Sequence, residues 1–184
     1  VGVTQPISKW NYQIRRAEDI PWAVARAFYI ARSGRPGPVV LDFAKNAQTA
    51  MIEYAPQTVD FIRSYNPVPE TQPGSIEMAA ELINQSVKPL MLVGQGVELA
   101  GARQELLALC EKAQIPFGQT MLGLSAAPTG HPLNMGMLGM HGNLAPNVMT
   151  NQCDLLIAVG MRFDDRVTGD LHTYAKQAKV IHFE

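Results

Sequence analysis

LLIAVGMRFDDRVTG, residues 155–169, decides the fold. It opens on five consecutive apolar side chains, Leu155 to Val159, the composition of a strand covered on both faces in a parallel sheet. Gly160 stops the run, and charge follows at once: Arg162, Asp164, Asp165, Arg166 and, beyond Gly169, Asp170. Open α/β sheets bind ligands outside the carboxyl ends of their strands. A buried strand that ends in glycine and then charge suits that place.

Working outward, other segments read as neighbouring strands and helices. Residues 171–178 predict a helical turn or two, and 180–183 a further strand with Glu184 at its end. Upstream, Leu90-Met91-Leu92-Val93 is a buried strand that runs into Gly94-Gln95-Gly96, and residues 115–120 form a second strand. Ser75, as an N-cap with Glu77 following, starts a helix that Lys88-Pro89 ends. A second amphipathic helix covers residues 101–113, and 143–151 form a short helix. Residues 121–142 are rich in Gly and Met and hold no long regular element. Strands alternating with helices at this spacing predict an α/β fold, a Rossmann-like, three-layer nucleotide-binding domain with a parallel sheet.

Residues 66–74, NPVPETQPG, read as a linker and mark a domain boundary. Before it lies a single αβ step. Glu18 and Asp19 ahead of Pro21 start a helix, and Ile20, Val24, Ala27, Phe28 and Ala31 give it an apolar face. It ends near Ser33-Gly34, where glycine takes the left-handed cap. Arg35-Pro36-Gly37-Pro38 is a rigid turn and residues 39–43 a short strand, whose partners are expected before residue 1. Ser8 to Tyr12 read equally as an interface segment or a surface loop.

The 184 residues, 47% apolar and 17% charged, suit one domain, or one domain and part of another. A net charge of −1 without a basic cluster argues against nucleic acid. No apolar run approaches the roughly 20 residues of a membrane span, and the N-terminus lacks the apolar core of a signal peptide. Cys110 and Cys153 fit no metal spacing and read as structural thiols in a reduced, cytoplasmic setting. The chain begins without Met and stops just after a strand, so it is expected to be a piece of a longer polypeptide.

Gly94-Gln95-Gly96 after a strand is half of a dinucleotide fingerprint, but Leu99 stands where the third glycine belongs. Phosphate binding and a plain strand-to-helix turn both remain open. Met137-Leu138-Gly139-Met140-His141-Gly142 sets a Met-His pair between glycines, and methionine packs adaptably against flat rings. Arg162 with Asp164 and Asp165 reads either as an ion pair across a loop or as partners for phosphate and ribose. Glu184 reads as a ribose-binding acid or as an ordinary surface acid. No second histidine stands at metal spacing, and no nucleophile–base pair or carboxylate pair stands out. The residues alone lead to a nucleotide-binding domain with no metal site and no catalytic residue of its own.

These stretches resemble the large-subunit family of acetolactate synthase (acetohydroxyacid synthase), a family of thiamine-diphosphate enzymes. The carriers are the SGRPGP run at 33–38, MLGMHG at 137–142 and RFDDRVTG at 162–169, the last two about 25 residues apart. Lys9 to Tyr12 and Glu18 to Pro21 fit the pattern as well. The resemblance implies that residues 1–49 are the tail of a thiamine-pyrimidine-binding domain, 50–74 a linker and 75–184 most of a central FAD-binding domain. It implies FAD contacts at Arg35, Gly94, Gln95, Gly96, Thr120, Met121, Leu138, Gly139, Met140 and His141. It implies further contacts at Gly160, Met161, Arg162, Phe163, Asp164 and Glu184, with Asp165 and Arg166 by the substrate channel. The family usually has Gly where Gln95 stands and Asp where Glu184 stands.

The implied reaction condenses two pyruvates to acetolactate, or pyruvate with 2-oxobutanoate, and releases CO₂, in branched-chain amino-acid synthesis. Thiamine diphosphate and Mg²⁺ belong to other domains of such enzymes. A homo-oligomer and a regulatory subunit are the implied partners, and this piece alone is expected to be inactive. The alternatives are the middle domain of glyoxylate carboligase or pyruvate oxidase, or a stand-alone, non-catalytic nucleotide-binding module. RFDDRVTG together with MLGMHG favours acetolactate synthase.

Overall fold

Residues 10–14, WNYQI, alternate aromatic or apolar with polar, and the alternation makes a strand. In the computed structural model, which describes residues 1–68 and 70–183, this is β1 (Trp10–Ile14). It pairs in parallel with β2 (Val39–Phe43), Trp10 opposite Val39 and Ile14 opposite Phe43. Helix α1 (Ile20–Arg32) joins them, so the predicted αβ step has one strand partner, β1, within the chain. The five-residue strand is too short for its period to stand out among polar neighbours.

Trp22 of α1 meets both Trp10 and Tyr12 edge-on, at 6.2 and 5.3 Å, while Ile14 and Ala23 close the core beneath. Pro21 sits in the first turn of α1, and Gly34 just past its end takes a φ of 58°. A one-turn helix that the proline-punctured sequence hides, α2 (Lys45–Thr49), follows β2. These elements belong to a first unit, Val1–Thr71; the second begins at Gln72.

The second unit is a five-stranded parallel sheet with helices between its strands. Its helices are α3 (Ser75–Gln85), α4 (Gly96–Leu99), α5 (Arg103–Ala113), α6 (Leu144–Thr150) and α7 (Asp165–Thr168). Its strands are β3 (Pro89–Val93), β4 (Phe117–Gln119), β5 (Asn134–Met137), β6 (Leu155–Val159) and β7 (Lys179–Phe183), in the spatial order β5-β4-β3-β6-β7. Strands β3 and β6 lie side by side at the centre, Leu90 opposite Leu156 and Val93 opposite Val159.

Their side chains feed two cores. Met91, Val93, Leu155 and Ile157 pack on one face with Leu106, Cys110, Ile115 and Phe117. Leu90, Leu92, Leu156 and Ala158 pack on the other with Leu138, Cys153 and Met161. Burial on both faces explains why these strands are apolar without alternation. Each fully buried leucine contributes about 2 kcal/mol.

The structure departs from the sequence reading in local ways. Gly74, not Ser75, occupies the N-cap of α3, and the Ser75 hydroxyl donates back to the Gln72 carbonyl at 2.6 Å. Helix α3 ends at Gln85, before Lys88-Pro89, and Pro89 opens β3. The 101–113 helix starts at Arg103. Residues 171–178 form turns, not helix. Asp170 starts a turn as a cap would, its carboxylate accepting from the His172 N–H at 2.8 Å and its carbonyl from the Tyr174 N–H at 3.2 Å, but the Ala175 N–H is taken by the Asn151 side chain at 2.9 Å and Ala175 has a φ of 44°, so no helix follows. Strand β5 emerges from the Gly- and Met-rich stretch.

Candidate functional site

The chain order reverses between β3 and β6. Strand β3 leads outward to β4 and β5, and β6 returns on the other flank of β3. Such a switch point opens a crevice at the carboxyl ends of the two strands. The turns that leave there are Gly94-Gln95-Gly96 and Gly160-Met161-Arg162, and they interlock. The Gly94 N–H donates to the Val159 carbonyl at 2.9 Å and the Gly96 N–H to the Gly160 carbonyl at 2.8 Å. A methyl on Gly94 would strike that Gly160 carbonyl. One on Gly160, whose φ is 58°, would stand 2.6 Å from the Val97 nitrogen. The glycines that read as half a phosphate fingerprint are therefore required first by each other. Gln95 has ordinary helical backbone at φ −63° and an exposed side chain, so its bulk points away from the turn.

The Met-His segment and the charged loop, distant in sequence, lock together. The Met140 N–H donates to the Arg166 carbonyl at 2.8 Å. Gly139, at φ 97°, leaves no room for a side chain: a methyl would lie 2.8 Å from the same carbonyl. Asn147 of α6 clamps Gly139 from the other side, accepting its N–H and donating to its carbonyl, both at 2.9 Å. In the charged loop Asp164 caps α7 by accepting from the Arg166 N–H at 3.1 Å, and Arg162 Nε lies 3.3 Å from Asp164 Oδ2. The ion-pair reading of that loop is thus realised. Gly139, Met140, Asn147, Asp165, Arg166 and Tyr174 are among the residues that line an open cavity of about 320 Å³.

The next strand end joins the same edge. The Thr120 N–H donates to the Val93 carbonyl at 2.9 Å, and the Thr120 hydroxyl caps the turn that follows by accepting from the Gly123 N–H at 3.1 Å. Met121, Met140, His141 and Arg162 are exposed there. Leu138 and Met161 instead bury their side chains in the second core, and the Leu138 N–H is taken by the Gln119 carbonyl at 2.9 Å. Phe163 is half-buried against Tyr174 and His182. Among the described residues, the backbone N–H groups of Gln95, Met121, Met161 and Arg162 donate to no protein acceptor. Glu184, the implied ribose acid, lies outside the described residues, as does Pro69 of the linker.

Arg35 belongs to the first unit and is exposed. Its turn is pinned by Lys9, whose ammonium donates to the carbonyls of Ile30, Ser33 and Arg35 at 2.6, 2.6 and 2.9 Å. A cation at the carboxyl end of α1 also opposes the helix dipole.

Three supporting side chains escape sequence reading. Asn147 is one. Gln119 is buried at the end of β4, donates to the Gly123 carbonyl at 2.9 Å and accepts from Asn134 at 2.9 Å. A polar residue closing an apolar strand was its signal, since a buried amide demands partners. His182 of β7 reaches the Met161 carbonyl at 2.7 Å. Both thiols are inert by burial, Cys110 pushed up to about 12 and Cys153 to about 11. Burial likewise raises the Tyr174 hydroxyl to about 12.

With this geometry in view, the family profile of the thiamine pyrophosphate enzyme central domain matches residues 76–184. The chain belongs to that family. Proteins similar to it include the acetolactate synthase large subunit of Corynebacterium glutamicum, 44% identical over 98% of this chain and 29% of the relative. The isozyme 1 large subunit of acetolactate synthase from Escherichia coli is 42% identical over 100% of this chain and 32% of the relative. An X-ray structure from Mycobacterium smegmatis, assigned to the thiamin diphosphate-dependent enzymes, superposes with a TM-score of 0.72 at 25% identity, over 97% of this chain and 34% of that one. The chain thus spans about a third of the length of the curated relatives it matches.

Proposed function

We propose that this chain is the middle part of an acetolactate synthase large subunit, and that it supplies the FAD site and part of the substrate channel. One observation carries the reading: MLGMHG and RFDDRVTG meet through the Met140–Arg166 backbone bond, at the sheet edge where the β3 and β6 turns interlock.

The residues fit a flavin dinucleotide. The N–H groups of Gln95, Met121, Met161 and Arg162, which have no protein acceptor among the described residues, stand at the ends of three neighbouring strands, ready for an acceptor-rich ligand. Arg162 adds a positive charge for a diphosphate. Exposed Met140 and Met121 offer polarizable surface to a flat ring. On the family resemblance, Arg35, Gly94, Gly96, Thr120, Leu138, Gly139, His141, Gly160, Phe163, Asp164 and Glu184 complete the proposed contacts. Asp165 and Arg166, on the cavity beside them, belong to the channel. FAD bound there has a structural role, because the net reaction is not a redox reaction.

In the parent, the proposed reaction condenses two pyruvates, or pyruvate and 2-oxobutanoate, with loss of CO₂. Thiamine diphosphate and Mg²⁺ are assigned to its other domains, and a homo-oligomer with a regulatory subunit is the proposed assembly.

The test is a flavin titration of the 184-residue chain, followed by flavin fluorescence. Saturable binding that weakens about tenfold in Arg162→Ala is expected, the loss of one charge-assisted contact. A folded chain that binds no FAD defeats the reading.

A further inference from the structure

The carbonyl of Met161 sits just past β6, where the sheet ladder has ended. Among the described residues the last ladder bond runs from the Gly160 N–H to the Phe183 carbonyl at 2.8 Å, and Gly160 then turns the chain at φ 58°. Among the described residues, no backbone N–H reaches the Met161 carbonyl. The imidazole of His182 does, with Nε2 at 2.7 Å. A carbonyl only accepts, so Nε2 carries the proton and donates. The same ring packs edge-on against Phe163, centroids 5.3 Å apart at 68°, and Phe163 in turn meets Tyr174 at 6.3 Å. One side chain on β7 therefore grips the backbone of Met161 and the ring of Phe163, on either side of Arg162.

We propose that His182 is the positioning residue of this turn: it holds the 161–163 peptides, and with them Arg162, in the orientation that receives the cofactor. The proposal rests on the flavin reading above and adds a residue that touches no assigned ligand. Without the imidazole, Gly160 is still anchored to β7 through the ladder and the Met161 side chain to the second core, but among the described residues no hydrogen bond holds the peptide between Met161 and Arg162. Arg162 then samples more orientations, and binding loses the advantage of a preformed site.

Two variants of the 184-residue chain separate the hydrogen bond from bulk. His182→Leu removes the donor and keeps volume, while His182→Gln places an amide N–H near the position of Nε2. FAD affinity is read by flavin fluorescence, and the backbone order parameters of Arg162 and Phe163 are read by nitrogen-15 relaxation. His182→Leu is expected to weaken FAD binding about tenfold and to lower both order parameters from about 0.85 to below about 0.6, with His182→Gln within about threefold of wild type in affinity. Unchanged affinity and order parameters in His182→Leu overturn the proposal. So does a His182→Gln chain as impaired as His182→Leu, because packing and not the hydrogen bond would then be the cause. A wild-type chain that binds no FAD overturns the flavin reading instead. The relaxation comparison, which needs no cofactor, then decides whether His182 holds the turn.

Discussion

Gly160 shows how much one residue carries at the crossing of β3 and β6. Its positive φ turns the chain out of the sheet, its carbonyl accepts from Gly96, and its missing side chain leaves room for the α4 backbone. A Gly160→Ala chain meets both a strained φ and a clash with Val97. The expected loss is about 3 kcal/mol of unfolding free energy, read from urea unfolding. A loss below about 1 kcal/mol would show that the two turns slide apart without strain. Gln95 stands at the other extreme. It is exposed with ordinary backbone, which is why a glycine of the family pattern can be replaced there. The sequence signalled glycine at 94, 96 and 160 but not its cause. It left phosphate binding and a plain strand-to-helix turn both open at 94–96, and the nearer neighbour is the opposite turn.

At the scale of elements, Asp154 ties α3 to the start of β6. Its carboxylate accepts from the Ser86 hydroxyl at 2.7 Å and from the Val87 and Lys88 N–H groups at 2.7 and 2.9 Å. The Ser86 bond first, then the backbone bonds, hold its carboxyl below the ordinary 3.8, against a small opposing effect of burial. A carboxyl depressed in the fold stabilises it fully above the unfolded value and loses that contribution as pH falls through the folded one. Asp154→Asn should therefore cost about 1 kcal/mol near pH 7, and the gap to wild type should close below about pH 4. Unfolding curves at several pH values check this, and a gap constant down to pH 2 would mean the charge is irrelevant. Sequence periodicity located α1, α3 and α5, whose apolar faces are long, and unbroken apolar runs located β3 and β6. Neither signal stands out in β1, β5, α2, α4 and α7, four or five residues each of mixed polar and apolar character. Elements so short are set by their neighbours rather than by their own pattern.

For the whole molecule, the second unit contains both large cores, and each thiol sits in one of them. Cys110 and Cys153 should therefore report its integrity. In the native chain a thiol-labelling reagent should react with neither at pH 8, because burial denies both access and the thiolate form. Reaction should begin only as denaturant unfolds the sheet. Residues 72–184 expressed alone should give the same protection. Rapid labelling of that piece, with the longer chain protected, would show that the second unit does not fold by itself.

The sequence by itself determined the α/β class, the buried central strands and the charged loop at a strand end. These follow from composition and from short-range spacing, which a chain displays before it folds. It also carried the motifs that link the chain to the thiamine pyrophosphate enzymes. Tertiary structure alone decided which strand lies beside which, and so which turns share an edge. The pairing of β3 with β6 brings Gly94 to Gly160 across more than 60 residues, and Asn147 and His182 gain their roles only from what lies opposite them. A hydrogen-bond partner supplied by a distant strand leaves no period in the sequence. Such residues look like any polar side chain until the sheet has formed.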